Sequence, residues 1–219
     1  MGVGKSKEWG KNEECRLTTN EIMKRAKTGD LILFKGEGPD ARFIRCMSAS
    51  NEWSHVGVVI EYENCKLVTE AYPTVIAKDM VRDSEHTGVQ FVDLETRLKT
   101  YPSKCVAYRP LIGKVDPVNT EKFVKMFKSL DESSIPQYNK SLWDFVEYGL
   151  RCDNDENVHG GVKYYVCTAW AAETLMCLKV LNKSNEPGNY LLSDFGMSYR
   201  CLPTTNKGFS FCEIYYQVL

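Results

Sequence analysis

Histidine is the rarest of the chemically versatile residues in this sequence: 219 residues contain three, His55, His86 and His159. Any chemistry that needs an imidazole therefore has a short list of carriers. Nine cysteines are too few for a disulfide scaffold, and an odd number cannot all pair internally. No two stand in a C-x-x-C spacing, which removes the main support for zinc-ribbon and thioredoxin readings. The thiols are expected to be reduced and mostly buried, in a cytoplasmic compartment. An excess of charge is also missing, with 28 Lys and Arg against 29 Asp and Glu and a formal net charge of -1. That balance gives no electrostatic case for nucleic acid, and no nucleic-acid partner is expected. The best apolar stretch, Tyr164 to Leu181, is interrupted by Glu173 and Lys179, so no membrane span is expected. Fifteen Gly and eight Pro exclude collagen-like and low-complexity classes.

What remains is a chain that can bury a real core as one domain, expected over 17–219 behind a polar leader, 1–16. The leader MGVGKSKEWGKNEEC has no apolar centre and is not a signal peptide. It does match M-G-x-x-x-S, with Gly2 as the acceptor of an N-myristoyl group and Ser6 in place. The alternative is a plain start codon followed by Gly. The GVGKS run resembles the end of a phosphate-binding loop, but it lacks the spacer and the preceding strand, and the nucleotide reading is discarded.

Periodicity changes along the chain. Thr18 and Thr19 ahead of Glu21 mark an N-cap for a short helix through Ile22, Met23 and Ala26, closed by Gly29-Asp30. Leu31 to Phe34 reads as a strand, and Ala41, Phe43, Ile44 and Met47 suggest a second short helix ending near Ser50. His55 to Tyr62, a turn at Glu63-Asn64, and Cys65 to Ala71 form a β-hairpin pattern. Further strands are expected at Val75 to Ala77, Gly88 to Val92 and Cys105 to Tyr108, with one helical turn at Leu94 to Leu98. Helical spacing then dominates over Glu121 to Leu130, from Ser141 through Leu150, and from Cys167 onward. A polar loop covers Arg151 to Gly161, a short element Tyr190 to Phe195, and a final strand Phe209 to Tyr216. Strands followed by helices around one sheet mean an α+β class.

Three residues stand out. His55 opens the most strand-like segment, and Glu70 lies near the far end of its hairpin partner, so the turn folds the two toward each other. A carboxylate beside an imidazole fixes its tautomer and stabilises its charged form. The bland alternative is a surface Glu beside a surface His. Cys167 opens a strongly helical run after an apolar approach, where backbone N–H groups and the helix dipole stabilise a thiolate and a developing oxyanion. Spacing alone leaves Cys167 either a buried structural thiol or a nucleophile. Cys46, Cys65, Cys105 and Cys177 read as structural. The run Asp153-x-Asp155-x-Asn157 imitates a calcium loop without its Gly and its terminal Glu. Cys152, His159 and Cys167 fit no common zinc spacing, so no metal site is expected. His86 reads as a loop residue.

Taken together, Gly29-Asp-Leu-Ile-Leu-Phe34, Trp53-Ser-His-Val-Gly-Val-Val-Ile60, Val68-Thr-Glu-Ala71, Tyr165-Val-Cys-Thr-Ala-Trp170 and Tyr190-Leu-Leu-Ser-Asp-Phe195 resemble the permuted papain-fold cysteine hydrolases of the NlpC-type superfamily. The YiiX-like and poxviral members are the nearest group in that resemblance, and lecithin:retinol acyltransferase is more distant. It implies a permuted papain-like fold, an antiparallel sheet packed against helices with the nucleophile at a helix N-terminus. Residue by residue it implies Cys167 as nucleophile, His55 as base and Glu70 as the orienting third member, without a cofactor. Gly29-Asp30 matches the start of the first core strand. Thr168 stands where a Ser often follows the nucleophile, and Trp170-Ala171-Ala172 replaces an acidic-aliphatic run.

The expected function is therefore a thiol-dependent hydrolase or acyltransferase acting on an amide, ester or thioester of a peptide or acyl lipid. A myristoylated Gly2, with Lys5, Lys7 and Lys11 as a thin basic supplement, implies a membrane surface as partner and a eukaryotic or viral origin. The alternative is a non-catalytic, membrane-associated structural or virion component that keeps the fold.

Overall fold

The computed structural model describes residues 16–47, 50, 52–103, 105–138, 158–159, 162–196, 205–212 and 216–218. Its strands are β1 (Arg16–Leu17), β2 (Leu31–Phe34), β3 (His55–Tyr62), β4 (Cys65–Tyr72), β5 (Gly88–Asp93), β6 (Val106–Arg109), β7 (Leu111–Ile112), β8 (Gln137–Tyr138), β9 (Val158–His159), β10 (Val162–Tyr165), β11 (Ser210–Phe211) and β12 (Tyr216–Val218). Its α-helices are α1 (Thr19–Arg25), α2 (Pro39–Met47), α3 (Leu94–Thr100), α4 (Pro117–Lys128), α5 (Cys167–Cys177) and α6 (Leu192–Gly196). Seven strands form one sheet in the order β1-β12-β6-β2-β3-β4-β5, antiparallel throughout except for the parallel β1–β12 pair. This is an α+β protein with helices on both faces of an antiparallel sheet.

Strand alternation explains the layering. Leu31, Leu33, Val56, Val58 and Ile60 join the core under α4 and α5, while Ile32, Phe34, Val59, Val68 and Val92 join the core under α1 and α3. Every residue of β2 is consequently buried, which is why that strand reads as an unbroken apolar run. The β3–β4 hairpin turns at Glu63-Asn64 with both residues at positive φ, the backbone that matches the right-handed twist of paired strands. Thr18 and Glu21 close α1 with a reciprocal capping box.

Four expectations are corrected. Val75 to Ala77 is not a strand; the chain leaves the sheet after Tyr72, and the buried Gln90 side chain ties it down by accepting from Ile76 N at 3.0 Å and donating to Thr74 O at 2.9 Å. A side-chain amide thus takes the place of a ladder. Phe209 to Tyr216 is not one strand, because Ser210–Phe211 pairs with Leu111–Ile112 whereas Tyr216–Val218 turns to β6. Pro110, which has no N–H, separates β6 from β7 and marks where that partner changes. The span Arg151 to Gly161 is not loop throughout, since Val158–His159 pairs with Val162 and Lys163. The thiols are not mostly buried: Cys46 and Cys65 are exposed, Cys105, Cys177 and Cys212 are half-buried, and only Cys167 of the six described cysteines is buried.

Arg16, the last residue of the expected leader, already pairs with Gln217. Gly2, the helix expected from Ser141 through Leu150, Cys152 and the run Asp153 to Asn157 lie outside the described residues.

Gly29-Asp30 ties the entry of β2 to β6 and β7. Gly29 sits at φ +94°, and a Cβ there would come within 2.6 Å of Leu111 Cδ2. The fully buried Asp30 carboxylate accepts from the Tyr108 hydroxyl at 2.6 Å, Leu111 N at 2.7 Å and Lys27 N at 2.9 Å. Asp30→Ala removes the acceptor of three hydrogen bonds and is expected to lower unfolding free energy by about 3 kcal/mol. Asp30→Asn keeps an acceptor oxygen and should lose distinctly less, a difference read from urea midpoints. Equal losses in the two variants would contradict this role for the carboxylate.

Candidate active site

His55 is placed by the two residues before it. Trp53 is buried against Gly196 of α6, so closely that a Cβ on Gly196 would lie 2.4 Å from Trp53 Cδ1. Ser54 takes a hydrogen bond from Gly36 N at 2.7 Å and donates to Phe34 O at 3.3 Å. The chain therefore enters β3 with its first side chain fixed at the end of the sheet. Phe34 is the register partner of His55, with ring centroids 5.5 Å apart, and Tyr72 meets the imidazole edge-on at 5.2 Å.

Glu70 is buried without exposure, and its Oε2 lies 2.5 Å from His55 Nε2. The hairpin register runs from Tyr62↔Cys65 to Val58↔Thr69, so the next pairing step sets Gly57 beside Glu70, and His55 lies one diagonal away. Gly57 keeps that diagonal open, because a Cβ there would stand 2.6 Å from Val68 Cγ2 and 3.5 Å from Glu70 Cβ. The same carboxylate receives a second cation. Arg97 of α3 donates from Nε to Oε1 at 2.6 Å and from Nη2 to Oε2 at 2.8 Å. Arg97 is itself 2% exposed, with its guanidinium carbon 4.6 Å from the Phe34 ring and 5.0 Å from those of Tyr72 and Tyr101.

Cys167 is the first residue of α5, whose N-cap, Val166, supplies no side-chain hydrogen bond to the first turn. The helix is pinned one turn later, where Trp170 Nε1 donates to Thr69 Oγ1 at 2.9 Å and the indole packs among Phe123, Phe127 and Tyr165. Trp170, in the segment that departs from the resemblance, is therefore a core anchor of the helix. At the helix start Cys167 lies near enough to His55 for its charge to act on the imidazole. With Nε2 engaged by Glu70, Nδ1 is the imidazole nitrogen that the carboxylate leaves open.

The electrostatics follow from these contacts. Burial alone would push the His55 imidazole down; the charge and hydrogen bond of Cys167, then those of Glu70, overcome it and raise it from 6.5 to about 9. Burial would push Glu70 up; the charge of Arg97, the hydrogen bond and charge of His55 and the Arg97 fork bring it from 4.5 down to about 2. Tyr138, which pairs with Tyr165 in the β8–β10 ladder, is pushed up by burial and then by the nearby Cys167 and Tyr72. Burial and Tyr72 likewise raise Tyr101 to about 12.

The structure thus brings Cys167, His55 and Glu70 together. His86 is elsewhere: its Nε2 donates to Val89 O at 2.9 Å beside Asp79, and its Nδ1 pairs with Ser84 at 3.2 Å. Asp79 holds Val81 N, Arg82 N and Phe91 N, so that cluster braces a loop. Among the described residues no group of three His, Cys, Asp or Glu side chains is arranged to hold a metal ion, and no helix is long and apolar enough to cross a membrane. Sequence reasoning missed Arg97 and the tyrosines at positions 72, 101 and 138. The basic residue falls on a helical turn whose sequence, LETRLKT, reads as solvent-exposed.

Two opposite pH dependences meet at this pair. Glu70, held low, contributes stability that is present above 4.5 and lost as pH falls toward about 2. His55, held high, contributes stability that is present below 6.5 and lost as pH rises through about 9. Glu70→Gln removes one of the two raising partners, so the His55 titration followed by imidazole proton NMR should move to lower pH. An unchanged midpoint would show that the carboxylate does not hold the ring.

No protein-family model matches the chain, and no curated protein matches it. Among solved structures it is similar to the metalloprotein YiiX from Escherichia coli O157:H7, with 12% identity, a TM-score of 0.42, and 86% of this chain and 97% of that chain covered.

Proposed function

We propose that this protein is a thiol-dependent hydrolase or acyltransferase of the permuted papain-like type, working through Cys167, His55 and Glu70. The observation that carries the reading is a single imidazole bonded to a fully buried carboxylate and charge-coupled to a helix-opening cysteine. The order His, Glu, Cys along the chain agrees with the permuted arrangement.

The chemistry assigns one task to each group. The Cys167 thiolate attacks an acyl carbon while His55 holds the displaced proton. First-turn amides of α5, uncapped by any side chain, donate to the oxyanion that forms. The tetrahedral adduct collapses, the bond to the amine, alcohol or thiol breaks, and His55 gives its proton to that leaving group. Water or an acceptor nucleophile then loses a proton to His55 and attacks the thioester, which frees the sulfur. Glu70 keeps Nε2 occupied so that Nδ1 faces the reaction throughout. The substrate is a peptide or acyl lipid, and a myristoyl group on Gly2 holds the enzyme at a membrane surface where acyl lipids are concentrated. One such chain anchors weakly, so the basic leader residues supplement it.

Thiol exposure makes the test sharp. Exposed Cys46 and Cys65 should react first with iodoacetamide if accessibility governs, whereas buried Cys167 should react first if His55 activates it. We expect alkylation at Cys167 to be fastest near neutral pH by peptide mass mapping, and to vanish in His55→Ala. Labelling of Cys46 and Cys65 with Cys167 spared would sink the enzyme reading and leave the non-catalytic alternative. The tether has its own measurement: intact mass of protein made in eukaryotic cells should carry one myristoyl increment that Gly2→Ala abolishes. An unmodified Gly2 would remove the membrane from the account.

A further inference from the structure

We infer that Arg97 is a positioning residue of this site, its guanidinium fork seated among three aromatic rings so as to hold Glu70 in the one orientation that presents Oε2 to His55. The inference rests on the proposed function, and adds to it a fourth residue that the Cys-His-Glu arrangement does not contain.

The bonding around Glu70 makes the case. Oε1 is committed to Arg97 Nε, and Oε2 is shared between Arg97 Nη2 and His55 Nε2. Without the fork the carboxylate would hang on one hydrogen bond and rotate about its last torsion. A planar, two-point clamp is what guanidinium offers and ammonium does not. The clamp is itself clamped. Phe34, Tyr72 and Tyr101 stand around the guanidinium, and Phe34 and Tyr72 also flank the His55 ring. One set of rings therefore fixes both cations that Glu70 faces. Each ring comes from a different place, Phe34 from the end of β2, Tyr72 from the end of β4 and Tyr101 from the C-cap of α3.

Helix stability does not explain the arginine. The exposed face of α3 is served by the Lys99–Glu95 pair, and the N-cap by Asp93, which accepts from Thr96 N. Buried ion pairs are seldom more stabilising than apolar residues of similar volume. What Arg97 supplies is charge at a buried carboxylate. With it Glu70 stays ionised far into acid; without it, burial favours the protonated acid, which no longer stabilises an imidazolium.

The test compares wild type, R97Q, R97K and the exposed same-helix control K99A, each checked for fold by urea midpoint. The pH profile of Cys167 alkylation by iodoacetamide is recorded alongside the His55 imidazole NMR titration. In R97Q the acid limb should move up by about 1–3 pH units. R97K restores charge without the fork and should give a smaller upward shift with slower alkylation at neutral pH; K99A should match wild type. A folded R97Q or R97K with the wild-type acid limb in both readouts would overturn the role. Should R97Q fail to fold, the R97K comparison decides alone. The imidazole titration separates the two claims: a wild-type Cys167 no faster than Cys46 and Cys65 defeats the hydrolase, while the low-pH step in the His55 resonance still reports whether Arg97 governs Glu70.

Discussion

A carboxylate with no access to water must be met by cations or lose its charge, and Glu70 meets that requirement twice over. The demand draws three elements to one point: β4 carries the acid, β3 brings His55 to the diagonal position, and α3 delivers Arg97 from the adjoining layer. Loss of any of these bonds would leave a buried charge with too few partners. The site is therefore a condition of how this end of the sheet packs, and its order is inherited from the fold.

Adjacent positions on one strand govern both halves of the constellation. Thr69 faces α5 and receives the indole N–H of Trp170, while Glu70 faces α3 and receives Arg97 and His55. Period-two alternation makes this division of labour possible without a dedicated loop. A register slip of one residue in β4 would exchange the two faces and dismantle both anchors together. Gly57 belongs to the same scheme, since its missing side chain leaves room for Glu70 to lean along the diagonal.

Much of this was legible in residue patterns. The hairpin from His55 through Ala71, its turn, the short N-terminal helix with its cap and the helix opening at Cys167 all have strong local signals, and the structure forms each of them. The meeting of His55 and Glu70 could be anticipated because a hairpin converts sequence distance into proximity. Arg97 could not. Its partners are 27 residues away in Glu70 and farther still in Phe34, and nothing local distinguishes a buried arginine from a solvated one in a charged heptapeptide. Thiol exposure is illegible for a related reason, because apolar neighbours along the chain do not say which face of α2 carries Cys46 or that Cys65 opens β4 on its exposed side. Val75 to Ala77 has strand-like composition, yet the Gln90 amide satisfies that backbone from the side.

The central claim is that one imidazole, fixed by a buried carboxylate, makes Cys167 a nucleophile. Its most direct test is to trap the covalent intermediate by incubating the protein with an activated acyl ester, quenching in acid and locating the acyl group by peptide mass mapping. A single thioester on Cys167, lost in His55→Ala, is the expected result. Acyl groups found only on the exposed Cys46 and Cys65, or at equal level with and without His55, would contradict it.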